Sequence, residues 1–255
     1  MPLPVTRSGN PSLNERVFAS QPRPAYGAER MTLQGSINKA FLLLVVLLAG
    51  AFWPWSQYMT NGDLSVVSTS LLVGSIGGLV LALIISFKAN LAPVLAVPYA
   101  ALEGLAIGGI SAVLEQRYPG IAIQAVGLTF AVLAVMLVAY KTGLIRATER
   151  FRAVVIGATG AIALMYLVSI VLSLFHVNVP ILSSSSPLSI IISLVIVGVA
   201  ALNLILDFDF IESGAAQGAP RYMEWYAAFG LLVTMVWLYL EILRLLSKLN
   251  GGDRR

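Results

Sequence analysis

The sequence predicts an all-α polytopic membrane protein, a bundle of seven transmembrane helices. Hydrophobic residues make up 58% of the 255-residue chain and charged residues only 11%, whereas a soluble domain carries about 25% charged residues. The mean hydropathy is +0.87. Several apolar runs reach the roughly 20 residues that a helix needs to cross a hydrocarbon core about 30 Å thick. These observations place the chain in a lipid bilayer.

Seven apolar runs of helical length follow one another, and each is predicted to be one span. In chain order they cover residues 37–55, 64–87, 92–114, 121–140, 154–175, 188–206 and 223–246. The break after the first span lies in WPWSQYMTNGD, the break after the second in FKANLAP and the break after the third in EQRYPG. A basic stretch, 141–152, separates the fourth from the fifth, HVNVPILSSSSP follows the fifth, and SGAAQGAPR precedes the seventh. Most of these breaks contain the Pro, Gly, Asn and Ser that interrupt helices.

The chain divides into three segments. Residues 1–36 are rich in Pro, Ser, Gly and Arg and are predicted to be a disordered cytoplasmic tail. Residues 37–246 form the transmembrane domain, and residues 247–255 form a short basic tail. Most Lys and Arg residues fall on the side of the N-terminus, which predicts that this side is cytoplasmic. Seven crossings place the C-terminus on the opposite side, although its basic residues favour the cytoplasmic side, so its location stays open.

Small residues recur at four-residue spacing in two spans. Gly104 and Gly108 are followed by Ala112, and Gly157 is followed by Ala161. This spacing lets helix backbones approach closely in membranes. Close helix packing is the expected role of both sets.

Acidic residues in the apolar spans are the main functional signal. The chain has 12 acids, and those in or at the ends of predicted spans are Glu103, Glu115, Asp207, Asp209, Glu212, Glu224 and Glu241. An ionisable group in the hydrocarbon region costs about 2.5–3.5 kcal/mol on insertion scales, so it is retained mostly where it is paired, hydrated or used. These acids are therefore the candidate functional residues.

Glu103 and Glu241 are predicted to lie deep in their spans. Glu103 occurs in LAVPYAALEGLAIGGIS, and that span offers no basic partner. Two roles remain possible for Glu103. It is either a protonated carboxyl that forms a hydrogen bond to a neighbouring helix, or a functional carboxyl. Glu241 occurs in MVWLYLEILRLL, where Arg244 follows three residues later on the same helix face. A local pair with Arg244 is the alternative to a functional role for Glu241.

The segment LNLILDFDFIESG, residues 202–214, ends the sixth span with three acids and almost no basic residues nearby. A helix that has reached water explains Glu212 and one of the aspartates. It explains less well Asp207, which follows an apolar run and shares a face with Asn203 one turn earlier. Asp207 is therefore the leading candidate and Asp209 the second.

Composition restricts the chemistry that these acids serve. With no cysteine and a single histidine, His176, soft ligands are scarce, so any cation is expected to be hard: H⁺, Ca²⁺, Mg²⁺ or Na⁺. The chain has no phosphate-binding glycine loop, no HExxH motif and no paired nucleophile and base. Intramembrane aspartyl proteolysis would need two facing carboxylates in a wet cavity. We expect a protein that is not an enzyme, with no cofactor and no nucleic-acid partner.

The motif LDFDFIE at 206–212, followed by LYLEILRLL at 238–246, resembles the C-terminal signature of the Bax inhibitor-1 family, also called the transmembrane Bax inhibitor motif family. The likeness extends over residues 37–246 in the number and order of helices, and the N-terminal tail is similar to that of a bacterial branch. The resemblance implies a central C-terminal helix, a bacterial inner-membrane location and a pH-sensitive calcium leak.

In that family an Asp at the end of the sixth helix faces an Asp in the seventh. The first position falls on Asp207, because Ile211 follows four residues later, and the second falls on Glu241, which follows Leu-Tyr-Leu. Glu replaces the usual Asp, and the stretch between the two acids is longer than in other members, so Asp209 is an alternative partner for Glu241. Glu103 lies outside these motifs.

The resemblance implies a carboxyl pair that shares a proton at low pH and admits Ca²⁺ at higher pH. Asp207 and Glu241 would then sense pH and bind Ca²⁺, with Asp209 and Glu103 as further candidates. The predicted function is a pH-sensitive calcium leak channel or transporter, with Ca²⁺, H⁺ and the lipid bilayer as partners. The alternative is a membrane-embedded regulator of a membrane protease or of a stress response, which would contact its partner through the tail of residues 1–36.

Overall fold

The computed structural model describes residues 30–175 and 186–252, and every regular element in those ranges is a helix. The long helices are α1 (Leu33–Asn61), α2 (Leu64–Phe87), α3 (Ala92–Arg117), α4 (Ile121–Lys141), α5 (Glu149–Leu174), α6 (Pro187–Ala216) and α7 (Met223–Gly252). All seven are long and apolar enough to cross a membrane, so the predicted fold class is confirmed. His176, most of the predicted N-terminal tail and the last residues of the C-terminal tail lie outside the described residues.

Side-chain caps explain why several helices begin ahead of their apolar runs. The Thr32 hydroxyl accepts a hydrogen bond from the Gly35 N–H at 2.9 Å and so caps α1. A threonine and a serine cap α5 and α6 in the same way. Asp63 caps α2 by accepting a hydrogen bond from the Ser65 N–H at 2.8 Å. Hydrogen bonds from the Ser65 hydroxyl and N–H lower the pKa of the Asp63 carboxyl from its usual value of 3.8.

The C-terminal helix, α7, lies at the centre of the bundle. It contacts α1, α3, α4 and α6, and its apolar stretch is the most buried of the seven. Tyr226, Phe229 and Leu232 on this helix are almost completely buried. The Phe229 ring meets the edge of the Tyr99 ring of α3, with centroids 4.9 Å apart. The central position implied by the family resemblance is therefore observed.

Helices α1 and α3 pack backbone to backbone. A Cβ added at Gly104 would lie 2.2 Å from the carbonyl oxygen of Leu47, and one added at Gly108 would lie 2.2 Å from that of Ala51. The predicted packing role is confirmed for these two glycines, because no other residue fits the contact. The same prediction is wrong for Gly157, where an added Cβ would meet nothing within 4 Å.

Helix α5 lies at the edge of the bundle. Its one extensive contact with another described helix is with α6, and only 6% of its apolar stretch is buried. Three polar side chains nevertheless contact the acids and amides of the neighbouring helices: Arg152, Thr159 and Tyr166. Because they are spaced seven residues apart, they lie on one face of the helix.

Helices α1 and α7 begin at the same end of the bundle, here called the tail end. The Met31 N–H donates a hydrogen bond to the Ala219 carbonyl at 2.7 Å, and the Lys39 ammonium pairs with the Glu224 carboxylate. Since α7 is one continuous helix of membrane-spanning length, it ends at the opposite end, here called the far end. That the tail end is cytoplasmic stays a prediction.

Candidate functional site

A buried arginine from α5 lies among the acids that end α6. Arg152 is only 4% exposed. Its Nη2–H donates to Asp209 Oδ2 at 2.6 Å and its Nη1–H to Glu149 Oε1 at 3.1 Å. Removing one member of such a buried pair leaves an uncompensated charge with little water around it. The expectation that these acids lack a basic neighbour is therefore wrong for Asp209, whose cation comes from another helix.

A surface depression of about 540 Å³ opens beside this ion pair at the tail end. Its walls are the end of α4, the connection to α5, and Asp209 and Glu212 of α6. The Tyr140 hydroxyl donates to Glu212 Oε2 at 2.5 Å, and Glu212 is exposed. The depression gives water and ions access to Asp209, and Glu212 is the solvated carboxylate that the sequence predicted.

Asp207 lies deeper, in the interior of the bundle, and no part of it is exposed. Asn203, one turn earlier on the same face, is also buried. Its amide N–H donates to the Thr159 hydroxyl of α5 at 2.8 Å. A carboxyl held completely inside a membrane bundle is retained against a substantial solvation penalty, which marks Asp207 as a functional candidate.

Glu241 is held by two partners toward the far half of the bundle. The Tyr166 hydroxyl of α5 donates to Glu241 Oε1 at 2.7 Å, and the Arg244 Nη1–H donates to the same oxygen at 2.9 Å. Arg244 also donates to the Tyr166 hydroxyl and lies over its ring, 5.0 Å from the centroid. Glu241 is 2% exposed and Arg244 is 40% exposed. The local pair with Arg244 that the sequence left open is therefore formed, with Tyr166 added.

A buried lysine continues the polar groups toward the far end. Lys248 is 5% exposed, and its ammonium donates to the Ser193 hydroxyl of α6 at 2.7 Å. Glu241, Arg244 and Lys248 lie three, four and seven residues apart, so they share one face of α7.

Two contacts fix the register of α6 against α7. One is the bond from Lys248 to Ser193, and the other joins the rings of Phe210 and Tyr226, whose centroids are 6.3 Å apart. At about 1.5 Å per residue, these contacts place Asp207 level with residues 229–234 of α7 and leave Glu241 about 10 to 18 Å further along that helix.

Asp207 and Glu241 consequently do not form the expected pair in this conformation. They lie at different depths, and the hydrogen bonds of Glu241 go to Tyr166 and Arg244. Asp209, the alternative partner for Glu241, pairs with Arg152 instead. The expected carboxyl dyad is therefore replaced by carboxyls that follow one another across the membrane.

Two other acids of the spans have structural partners. Glu115, at the far end of α3, accepts hydrogen bonds from the backbone N–H groups of Gly120 and Ala122 and so caps α4. Glu224, at the start of α7, binds Lys39 and accepts bonds from the Thr32 N–H and hydroxyl, both at 2.8 Å. These contacts join helix ends and account for both acids without a transport role.

Glu103 lies apart from the other candidates, against α2. A Cβ added at Gly78 would lie 2.8 Å from Glu103 Oε2, so the absence of a side chain at position 78 makes room for the carboxyl. Within residues 30–175 and 186–252, no hydrogen bond or ion pair reaches this carboxyl. It is not part of the polar groups between α5, α6 and α7.

The described residues contain no group of three or more His, Cys, Asp or Glu side chains that could hold a metal ion together. Ca²⁺ takes six to eight oxygen ligands in a resident site. Because Asp207 and Glu241 do not converge, the Ca²⁺ ligation expected of this pair would have to occur at one carboxyl at a time.

The sequence reasoning missed the contribution of α5. Arg152 was assigned to a basic connection, and Thr159 and Tyr166 received no role, yet these three side chains contact the acids and amides of α6 and α7. The available signal was the seven-residue spacing of three polar residues in an otherwise apolar span, which predicts one polar face.

Comparison with family models matches residues 10–251 to the family described as Bax inhibitor 1 like. No curated protein and no solved structure matches the chain.

Proposed function

The chain belongs to the Bax inhibitor 1 like family, and on that basis we propose that it is a pH-sensitive leak for Ca²⁺ and protons, whose path runs between α5, α6 and α7. The polar groups described above extend from Asp209 to Ser193 along α6, about 24 Å at 1.5 Å per residue. This length covers most of a hydrocarbon core about 30 Å thick.

The observation that carries this proposal is a break between two polar half-paths. The tail-end half contains Asp209, Asp207 and Asn203, and the far half contains Glu241 and Lys248. Between them, Thr159 and Tyr166 of α5 are separated by about 10 Å along the helix. At this level α6 presents apolar residues that include Ile196 and Ala200, which are 3% and 0% exposed. An apolar constriction of this kind stops ions because water does not fill it.

The guanidinium groups of the chain support a closed state. Arg152 binds Asp209 and Arg244 binds Glu241, so each of these carboxylates is already occupied by a cation of the protein. A permeating Ca²⁺ would have to displace them. Protonation of a carboxylate removes the negative charge that binds either an arginine or Ca²⁺, so protons and Ca²⁺ would compete at each carboxylate. In the proposed path Asp207 and Glu241 are two successive binding positions for these cations.

Flux through vesicles containing the purified protein tests this proposal. We expect Ca²⁺ entry, read by a dye inside the vesicles, to depend on pH, and Asp207→Asn and Glu241→Gln each to change that dependence. Because the two carboxyls lie more than about 7–10 Å apart, their effects should combine additively. A directly paired dyad would instead make the double variant no worse than either single one. Asp63→Asn, which neutralises an exposed acid outside the path, is the control.

Two results would overturn the leak. One is the absence of pH-dependent flux in the unaltered protein, and the other is unchanged flux in both carboxyl variants. Glu103→Gln in the same assay tests whether the carboxyl that lies against α2 belongs to the path. We expect this variant to leave the pH dependence of the flux unchanged. Ile196→Ser should increase flux by admitting water to the apolar break.

The proposed location is a bacterial inner membrane with the tail end in the cytoplasm. Lys39, Lys141, Arg146, Arg150 and Arg221 all belong to helix starts, helix ends or connections at that end, which supports the orientation under the positive-inside rule. Labelling of single cysteines introduced at residues 146 and 250 in intact cells tests it: only the cysteine at 250 should react with an impermeant reagent.

A second candidate function has one specific observation in its favour. The segment that leads into α1 is anchored to the start of α7 through Met31, Thr32 and Glu224, so a partner that pulls on the tail would act directly on the central helix. This arrangement suits a membrane-embedded regulator of a membrane protease or a stress response. Such a regulator would show no flux, and removal of residues 1–29 would abolish its copurification with a membrane protease.

A further inference from the structure

Two adjoining depressions at the tail end form one amphipathic groove between α1 and α7. The upper one, about 460 Å³, is lined by polar and charged side chains that include Arg30, Lys39, Arg221 and Glu224. The lower one, about 530 Å³, adds Leu42, Pro93, Tyr222 and Trp225. Asn38, Lys39 and Arg221 line both depressions, so the polar part passes directly into the apolar part.

The charge of the upper part favours an anion. Three cations and one acid line it, which leaves a net charge of about two positive units at neutral pH. The one acid is already satisfied: Glu224 is 3% exposed, pairs with Lys39 and accepts two hydrogen bonds from Thr32. The other two cations of the lining are arginines, Arg30 on the segment before α1 and Arg221 before α7.

The lower part has the composition of the membrane interface. Trp225 and Tyr222 are the residue types that concentrate where acyl chains meet headgroups. Leu42 is 44% exposed on the lipid-facing side of α1. The Lys39 ammonium lies 5.5 Å from the Trp225 ring centroid, so the basic and the aromatic side chains meet at the boundary between the two parts.

From this complementarity we propose that the groove binds one anionic glycerophospholipid of the tail-end leaflet, with its phosphate against Arg30 and Arg221 and an acyl chain along Leu42 and Trp225. Basic pockets between transmembrane helices on the cytoplasmic side are known to bind anionic headgroups in this way. The site is distinct from the path between α5, α6 and α7, so it does not depend on the leak proposed above.

Fluorescence quenching of Trp225 tests the proposal in the full-length protein. With Trp53, Trp55 and Trp237 replaced by Phe, Trp225 is the only tryptophan, and brominated acyl chains quench it on contact. We expect brominated phosphatidylglycerol in phosphatidylcholine vesicles to quench more strongly than brominated phosphatidylcholine at the same mole fraction. Raising the salt concentration should weaken this preference, because the phosphate contact is electrostatic.

Arginine variants identify the groups responsible. Arg30→Gln and Arg221→Gln should each lower the preference for phosphatidylglycerol about fivefold. The matched control is Arg150→Gln, an exposed arginine at the same end that lines neither depression, and it should leave the preference unchanged. Each variant is first shown to unfold at the same detergent concentration as the parent protein, so that a folding defect is not read as lost binding.

Three outcomes overturn the proposal. Equal quenching by the two brominated lipids shows that no headgroup is selected. Loss of quenching on addition of inorganic phosphate or glycerophosphate, with the lipid unchanged, identifies a soluble anion site instead. Quenching that disappears as the protein-to-lipid ratio rises, together with a dimer in native mass spectrometry, shows that a second copy of the chain covers the groove.

Discussion

Alanine at Gly108 should destabilise the protein, because this position has no room for a side chain. The added Cβ would lie 2.2 Å from the Ala51 carbonyl oxygen and 2.7 Å from the Ala51 Cα, whereas such atoms normally approach to roughly 3.5 Å. Helix α1 must therefore retreat by about 1 Å, and overpacking of a rigid contact costs about 3 kcal/mol at the upper end of the usual range. Alanine recovers about 1 kcal/mol through its helix propensity, which leaves a net loss of about 2 kcal/mol.

The matched control is Gly157→Ala on α5, where nothing lies within 4 Å. This variant keeps only the gain in helix propensity and should be more stable than the parent protein by about 0.5–1 kcal/mol. Both free energies of unfolding are measured by titration of the folded protein in mixed micelles with sodium dodecyl sulfate, followed by tryptophan fluorescence. If Gly108→Ala proves as stable as Gly157→Ala, the backbone contact between α1 and α3 is not what fixes these helices together.

Three further predictions concern charged groups. Arg152→Met should lower the free energy of unfolding by about 3–5 kcal/mol because it leaves Asp209 without its cation, and the same detergent titration measures this loss. Arg244→Gln should increase Ca²⁺ flux in vesicles, because it removes the internal cation from the far half of the proposed path. Carboxyl-carbon nuclear magnetic resonance should give Asp63 a pKa below 3.8, and Ser65→Ala should move it back toward that value. Because the folded pKa is the lower one, the cap's contribution to stability is complete above the unfolded pKa and is lost as the pH falls through the folded pKa.

Each of these predictions has a result that contradicts it. Adding Asp209→Asn to Arg152→Met should restore most of the stability, and a double variant no better than the single one shows that the loss has another origin. Unchanged flux in Arg244→Gln argues against competition between this arginine and the permeating cation. A pKa for Asp63 that does not respond to Ser65→Ala places the cause outside the hydrogen bond from the serine hydroxyl.

The positions of the spans follow from hydropathy, but several helix ends do not. Helix α2 covers Leu64–Phe87, as predicted, because charged or polar residues border its apolar run on both sides. Helix α1 begins at Leu33 rather than at residue 37, and α5 begins at Glu149 rather than at residue 154. In both cases a capping threonine starts the helix within a polar segment, and polar helical turns outside the hydrocarbon region give no hydropathy signal.

The candidate acids could be selected from the sequence because burial of a carboxylate is costly wherever it occurs. Their partners could not, since these depend on the register of helices that are far apart in the chain. The bond between Lys248 and Ser193 fixes α7 against α6, and that register separates Asp207 from Glu241. Neither the LDFDFIE motif nor the LYLEILRLL motif contains information about the distance that separates Asp207 from Glu241 along the helix axis.

The position of α5 at the edge of the bundle bears on the timing of the proposed leak as well as on its location. A helix that packs against one neighbouring helix detaches locally far more often than a helix that packs against four. Such openings occur over microseconds to seconds. Each detachment of α5 would take Arg152 from Asp209 and Tyr166 from Glu241 in a single event. The lifetime of the closed state would then be set by the adhesion of α5 to α6. Substitutions on the lipid-facing side of α5, and the thickness of the bilayer around it, would change how often the path opens without altering any group that an ion meets.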